Sequence, residues 1–318
     1  MASDASGPAE MPEIAVICGP TAAGKSAVAM WLASRATCTI ISADSRQVYC
    51  GFDIGSAKPS LAERAAVAHR GIDIIDPTER YSAAAWADAA DGWINESRRS
   101  HAVPLVVGGT GLYLRALFEG LFHEPPLDPT RRDSIASVIG AFDLDELRRW
   151  VTCLDPARAN LGRTQLLRAI EMALLSGHRM SDLHRDRARV ARWRPRYLVV
   201  DPGPALADRI GARIDDMLEH GWSDEVRRLM DIVPASAPAW KATGYDAVRR
   251  LIDGSVSRAQ ARETILIETR QYAKRQRTWF RHQLPAAGVT RLDPTTADWQ
   301  TAAAEWMAGV PHPSGRPA

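Results

Sequence analysis

The chain lacks any apolar run approaching the ~18 residues that a membrane-crossing helix needs. Its eight histidines contain no H-E-x-x-H. Its four cysteines, Cys18, Cys38, Cys50 and Cys153, show no C-x-x-C or finger-like spacing. Small buried thiols in a reducing compartment are therefore expected, not disulfides or a structural metal. Charge of one sign is also scarce, since 40 basic residues against 38 acidic ones leave a net charge of +2. A nucleic-acid partner would have to be met by local patches. Segment 1–12 is small, polar and partly acidic, with neither an apolar signal region nor the Arg-rich character of a transit peptide. A frayed tail on a cytoplasmic protein is the expectation, and no internal repeat is visible.

What is present is ordinary globular material: 318 residues, 46% hydrophobic and 25% charged. That length holds one large domain, or a core with an insert. Glu13–Cys18, Thr37–Ser42 and Val103–Val107 read as buried strands, Gly71–Ile75 as a weaker one. Helices are expected at Lys25 to about Arg35 and at Ser82–Ser100, with Ser82 as N-cap. This alternation predicts an α/β fold with a mostly parallel sheet, interrupted by a helical insertion domain, and the G-x-x-x-x-G-K-S run at Gly19–Ser26 makes its core P-loop NTPase-like. The expected divisions are a tail at 1–12, a core at 13–121, the insert at 122–196, a mostly helical second core part at 197–293 and a peripheral tail at 294–318. The last helix expected in the second core part runs from Ser257 to about His282, followed by a strand at Val289–Leu292.

Gly19-Pro20-Thr21-Ala22-Ala23-Gly24-Lys25-Ser26 matches G-x-x-x-x-G-K-[ST] at every fixed position, with a strand before it and a helix after it. Glycine lets the backbone wrap an anion, so that amide N–H groups and the helix N-terminus point inward. Lys25 adds a full positive charge, and the Ser26 hydroxyl is placed to ligate Mg²⁺. The loop does not say whose phosphate it holds. One absence narrows the choice: ATP- and GTP-hydrolysing relatives of this loop hold Mg²⁺ with an Asp that ends a second buried strand, whereas Leu105-Val106-Val107 ends in Gly108-Gly109-Thr110. The nearest candidate acid is Asp44, at the carboxyl end of the second strand, where ligands bind in such sheets. A turn former is the plainer role for that residue.

Together with Ile41–Ser45 and Tyr49, Asp53-Ile-Gly-Ser-Ala-Lys-Pro59, Asp76-Pro77, Tyr81-Ser82-Ala83, Val107–Tyr113, Gly120-Leu121, Arg168-Ala-Ile-Glu171, Gly244-Tyr245, Thr269-Arg-Gln-Tyr-Ala-Lys-Arg-Gln276 and Trp279, the chain resembles the tRNA dimethylallyltransferase (tRNA isopentenyltransferase) family. The resemblance runs in order from about Ile14 to Arg281. It implies transfer of a dimethylallyl group from its diphosphate to the exocyclic amine of the adenosine next to the anticodon. The P-loop would then cradle a diphosphate leaving group, which accounts for the missing acid. Asp44 is implied as the base that accepts the amine proton. Arg213 and Thr110 are implied contacts that neutralise or position the diphosphate, with Mg²⁺ on Ser26 as cofactor.

By the same resemblance tRNA meets Asp44, Ser45, Arg46, Gln47, Gln165, Arg168, Lys241, Gly244, Tyr245, Lys274 and Arg275, with the insert engaging the anticodon stem-loop. The implied partners are tRNA and dimethylallyl diphosphate, with no membrane and a monomeric enzyme. Two positions depart from the family pattern: Thr164-Gln165 stand where Gln-Arg is usual, and Lys241 and Asp246 flank Gly244-Tyr245. Basic clusters at Arg185–Arg196 and along Arg258–Arg281 are either phosphate contacts or solvated surface. Three other readings remain: prenylation of free adenine nucleotides, a small-molecule P-loop kinase, and a non-catalytic RNA-binding module.

Overall fold

The computed structural model describes residues 11–120, 125, 127–186, 191–285 and 287–313. Strand β1 (Glu13–Cys18) leads through the glycine turn into α1 (Lys25–Ala33), followed by β2 (Cys38–Ser42), α2 (Leu61–Ala66), β3 (Ala68–Arg70), α3 (Ala83–Arg99), β4 (Val103–Gly108) and α4 (Gly111–Phe118). The chain then forms α5 (Pro129–Ile139), α6 (Leu144–Leu154), α7 (Arg163–Ser176) and α8 (Met180–Asp186). Strand β5 (Arg194–Val200) returns to the sheet. After it come α9 (Leu206–Glu219), α10 (Trp222–Ile232), α11 (Tyr245–Ile252), α12 (Arg258–His282), β6 (Val289–Leu292) and α13 (Trp299–Ala308).

The six strands form one sheet in the order β3-β2-β4-β1-β5-β6, and every pair is parallel. Parallel strands covered on both faces must be apolar throughout. Accordingly β2 and β4 are buried along their whole length and β1 from Ile14 onward, while the edge strands β3 and β6 are half exposed. Ile14, Val16 and Ile17 are at most 1% exposed, and each contributes about 1.5–3 kcal/mol by burial. The order reverses around β1, whose neighbours are β4 and β5. The crevice at the carboxyl ends of β1 and β4 is therefore the expected ligand position.

The described chain divides into two compact units, Met1–Phe118 with Arg192–Ala318, and Glu119–Ala191. The second is all helical, with Leu147, Val151, Leu166, Ala169 and Ile170 as its centre. Its end falls short of the expected 196. Arg192 and Trp193 belong to the first unit, where both donate to the Asp91 carboxylate at 2.7 Å. Arg187 and Arg189 of the basic cluster lie outside the described residues, as do Leu121 and residues 1–10.

Two further expectations are corrected. Gly71–Ile75 is not a strand: positive φ at Gly71 (77°) and Asp73 (54°) breaks the extended run. The edge strand is Ala68–Arg70, and Ile75 makes only a single bridge to Tyr49. The segment from 294 is not peripheral along its whole length either. Within α13, Ala303, Trp306 and Met307 are buried, and Trp299 meets Trp31 of α1 edge-on at 5.3 Å. The Ala-rich composition hid an apolar face.

Candidate active site

Gly19 leaves β1 with φ +146°, and a Cβ there would sit 2.1 Å from the Val200 carbonyl oxygen. Only glycine permits that approach. Ala22 and Gly24 also take positive φ (61° and 102°), curling the chain so that α1 begins at Lys25 with no acidic residue in its first turn. The positive end of the helix is thus left for an anion. Arg209 on α9 donates to Ala22 O at 3.0 Å, and Lys25 folds back to donate to Pro20 O at 2.7 Å. With Arg213, one turn beyond Arg209, the side chains of Arg209 and Lys25 line an open cleft against Gly24 and Ser26.

Burial holds Lys25 down to about 8, opposed by the nearby Asp44 carboxylate and reinforced by Arg213. Burial also lowers the Arg213 guanidinium, again opposed by Asp44. Lys25, Arg213 and Asp44 therefore share one electrostatic site. A dianionic ligand raises the Lys25 value by favouring its charged form. Hence kcat/KM for a diphosphate substrate should show an alkaline limb near the free-enzyme value of about 8. A pH profile that stays flat to pH 9.5 would contradict this.

The carboxyl ends of β2 and β4 are laced together. Ala43 N donates to Val107 O (2.8 Å), Thr110 N to Ala43 O (3.1 Å) and Ser45 N to Thr110 Oγ1 (3.0 Å). Gly108 is obligatory in this lacing, since a Cβ would lie 2.1 Å from Ala43 O. Asp44 accepts from Arg46 N at 2.8 Å through Oδ1. Tyr272 of α12, raised to about 12 by burial and then by Asp44, shares a hydrogen bond with Thr110 and stays protonated at neutral pH.

Gln276, 6% exposed, joins the two loops: its Oε1 accepts from Thr21 N and its Nε2 donates to Gly109 O, both at 2.8 Å. A buried amide with both ends used is costly to lose. Gln276→Leu is expected to cost about 2–4 kcal/mol of stability, two unpaired backbone groups at ~1–2 each, and to weaken diphosphate binding. Thermal melts and equilibrium binding check both; a variant with unchanged affinity would show that the bridge does not set the loop.

Asp44, Arg46 and Gln47 share an open cavity with Thr21, Ala22, Ser26 and Arg213. The same space is lined by apolar side chains: Ile210, Ile214 and Met217 of α9, Trp222 of α10 and Ile265 of α12. A cationic anion cradle, one carboxylate and an oily wall thus meet in a single space. No carboxylate follows β4, whose last residue is Gly108.

The other expected site residues separate into distinct environments. Thr110 and Ser45 bond each other and shape the loop behind Asp44. Gln47 is fully engaged: it accepts from Ser42 Oγ (2.8 Å) and donates to Ser56 O (3.3 Å) and Ala57 O (3.0 Å). The side chain of Tyr245, expected at tRNA, is 0% exposed and its hydroxyl donates to Glu225 at 2.7 Å. Gly244 has φ +87° and donates its N–H to Glu268 at 3.3 Å. Lys241, Lys274 and Arg275 are exposed. On the same α12, Arg262 is taken by Asp215 and Arg277 by Asp201 and Gly203 O, so this basic helix is part structural. In the helical unit, Gln165 caps its own helix by accepting from Gly162 N (3.0 Å), and Arg168 pairs with Glu171, as does Arg132.

Sequence reasoning missed Gln276, Arg209, Trp222 and Glu225. Gln276 closes a quoted motif but carried no assigned role. Glu225 stands inside the apolar stripe Trp222, Val226, Leu229 of α10, and a carboxylate at a core position was the available signal.

The class that this fold and site define is a P-loop α/β protein with a basic anion cradle and no acid after β4. The family described as IPP transferase matches residues 47–283, and the isopentenyl transferase description matches residues 12–71. The tRNA dimethylallyltransferase of Bordetella petrii is 40% identical over 282 residues, covering 85% of this chain and 90% of that protein. That of Acaryochloris marina is 36% identical over 297 residues, covering 90% and 94%. The solved tRNA isopentenylpyrophosphate transferase of Bacillus halodurans superposes with a TM-score of 0.65 at 32% identity, over 93% of this chain and 94% of that one. A eukaryotic dimethylallyltransferase acting on tRNA shares the fold, with a TM-score of 0.78 at 24% identity over 96% and 80% of the two chains. The chain belongs to the IPP transferase family.

Proposed function

We propose that this protein transfers a dimethylallyl group from dimethylallyl diphosphate to the exocyclic amine of the adenosine adjacent to the anticodon in tRNA, releasing diphosphate. The observation that carries this reading is the position of Asp44, in one cavity with the P-loop, Arg213 and an apolar wall. The amine nitrogen attacks the allylic carbon as that carbon's bond to the diphosphate oxygen breaks. Asp44 takes the proton that the nitrogen loses. Lys25, Arg213 and the N-terminal end of α1 hold the charge that gathers on the departing diphosphate. The apolar wall keeps water from the allylic centre. The relatives' shared name supports the reaction class.

Mg²⁺ is the proposed cofactor. The exposed Ser26 hydroxyl and Asp44 offer hard oxygen ligands on the same cavity, and Mg²⁺ characteristically takes few protein ligands, with substrate phosphates and water completing its shell. Among the described residues no group of three or more His, Cys, Asp and Glu could hold a metal. When bound, it would add positive charge beside the leaving group. Arg46 on the cavity, and the exposed Lys241, Lys274 and Arg275, are proposed tRNA contacts. The enzyme is proposed to work as a monomer in the cytoplasm; no helix of the described residues is long and apolar enough to cross a membrane.

The test supplies labelled dimethylallyl diphosphate, Mg²⁺ and either an anticodon stem-loop or free adenine nucleotides, then analyses nucleosides by mass spectrometry. Label in the stem-loop is the expected result. Label only in free nucleotides moves the acceptor to AMP, ADP or ATP, and ATP turnover without prenylation points to a kinase.

A further inference from the structure

The Glu225 carboxylate is 3% exposed. It accepts from three successive backbone amides: Asp53 N at 3.0 Å, Ile54 N at 2.6 Å and Gly55 N at 3.5 Å. The Tyr245 hydroxyl adds a fourth donor at 2.7 Å. No Lys or Arg among the described residues pairs with it. A buried charge is tolerable only when hydrogen bonds saturate it. Here the donors come from a concave run of amides of the kind that elsewhere binds phosphate. The protein has filled that anion nest with its own side chain, brought from the first turn of α10, where the helix dipole also favours a carboxylate.

What the nest holds is a wall of the active cavity. Gly55, Ser56 and Ala57 line it beside Asp44 and Arg46. The carbonyls of Ser56 and Ala57 accept from Gln47, whose Oε1 accepts from Ser42 at the end of β2, two residues before Asp44. The segment is strained, since Ala57 takes φ +49°, a conformation costing roughly 1–2 kcal/mol without glycine. Such a conformation persists only when its surroundings over-determine it. On the far side Lys58 bonds Tyr49 O and Asp53 Oδ1, both at 2.6 Å, and Asp73. On the near side Glu225 supplies the anchor.

We infer that Glu225 is a positioning residue for the transfer reaction: it pins the 53–57 loop so that the acceptor base meets Asp44 in register, without touching either substrate. This role rests on the transferase reading above. It predicts a split between the two substrates, because the P-loop is not in the chain of bonds that Glu225 controls. Glutamine keeps the shape but has one acceptor oxygen and presents an NH₂ to inward-pointing donors.

The experiment compares full-length wild type, Glu225→Gln and Tyr245→Phe, well below each melting temperature. It reads amide hydrogen exchange, equilibrium binding of dimethylallyl diphosphate, and steady-state transfer to an anticodon stem-loop. In Glu225→Gln, exchange at 53–55 should rise while 19–26 is unchanged. Diphosphate affinity should stay within about twofold, and kcat for the stem-loop should fall ~10- to 100-fold, as for a misplaced reacting group. Tyr245→Phe keeps the three amide bonds and should lose less than about threefold. Normal transfer with a loosened loop, unchanged exchange, or equal losses in diphosphate affinity and transfer would each overturn the proposal. A wild-type protein that prenylates neither acceptor would instead sink the transferase reading, while exchange at 53–55 would still report on the pin.

Discussion

Asp44→Asn is expected to lower turnover by about 10²–10⁴-fold, the usual worth of a positioned general base. Asparagine keeps an oxygen that can accept from Arg46 N (2.8 Å in the wild type), so the loop geometry should survive while the proton acceptor is lost. The stem-loop affinity should stay nearly intact, because one substituted contact is small beside many phosphate contacts. The same substitution has a second readout. Asp44 favours the charged form of Lys25, so removing it should move the alkaline limb of diphosphate binding to lower pH. Single-turnover kinetics across pH measure both effects together. Near-normal turnover would remove Asp44 as the base, and an unmoved alkaline limb would show that it does not share a field with Lys25.

Lys25→Met is the second large effect. Loss of the one full charge inside the loop should lower kcat/KM for dimethylallyl diphosphate by about 10²–10³-fold, comparable to losing one preorganised oxyanion donor. Stability should move the other way. Burial lowers Lys25 from 10.5 to about 8, so between those values the unfolded chain binds a proton that the folded chain has released. Folding stability therefore rises with pH across that window, and below it the folded state carries the full cost of the buried charge. A neutral methionine escapes that cost, so the variant should melt higher at pH 7, with the gap closing as pH approaches 10.5. A lower melting temperature at neutral pH would mean that the Lys25 bond to Pro20 O outweighs burial. Activity lost with stability gained marks a residue kept for its ligand.

The central strands and the phosphate loop were legible because their signals are local. β1, β2 and β4 are continuous apolar runs, and the P-loop places glycine where Val200 O leaves no room for a Cβ. The strand end placed Asp44 on the cavity that Thr21, Ala22 and Ser26 also line. Residues whose role depends on distant partners were not legible. Tyr245 and Glu225 meet only because α10 and α11 converge on the 53–55 amides. Gln165, Arg168 and Gln47, which the family resemblance assigns to tRNA, are engaged by Gly162, Glu171 and the Ser56–Ala57 carbonyls. α13 was obscured because alanine spacing in an Ala-rich segment reads alike for tail and helix. On α12 the arginines look equivalent in one dimension, yet Arg277 turns inward to Asp201 while Arg275 stays exposed.

The Gln276 bridge also bears on biosynthesis. Thr21 receives its partner from 255 positions further along the chain, and the central strand β1 gains β5 only after the whole helical unit has been made. During synthesis the amino-terminal half can collapse first, but its anion cradle stays unbraced until α12 has emerged. The nascent chain therefore carries the loop before one of its braces has been made. Chains cut short before Gln276 should hold a diphosphate more weakly, so full competence to bind it is conferred late, by a segment far from the motif that advertises it.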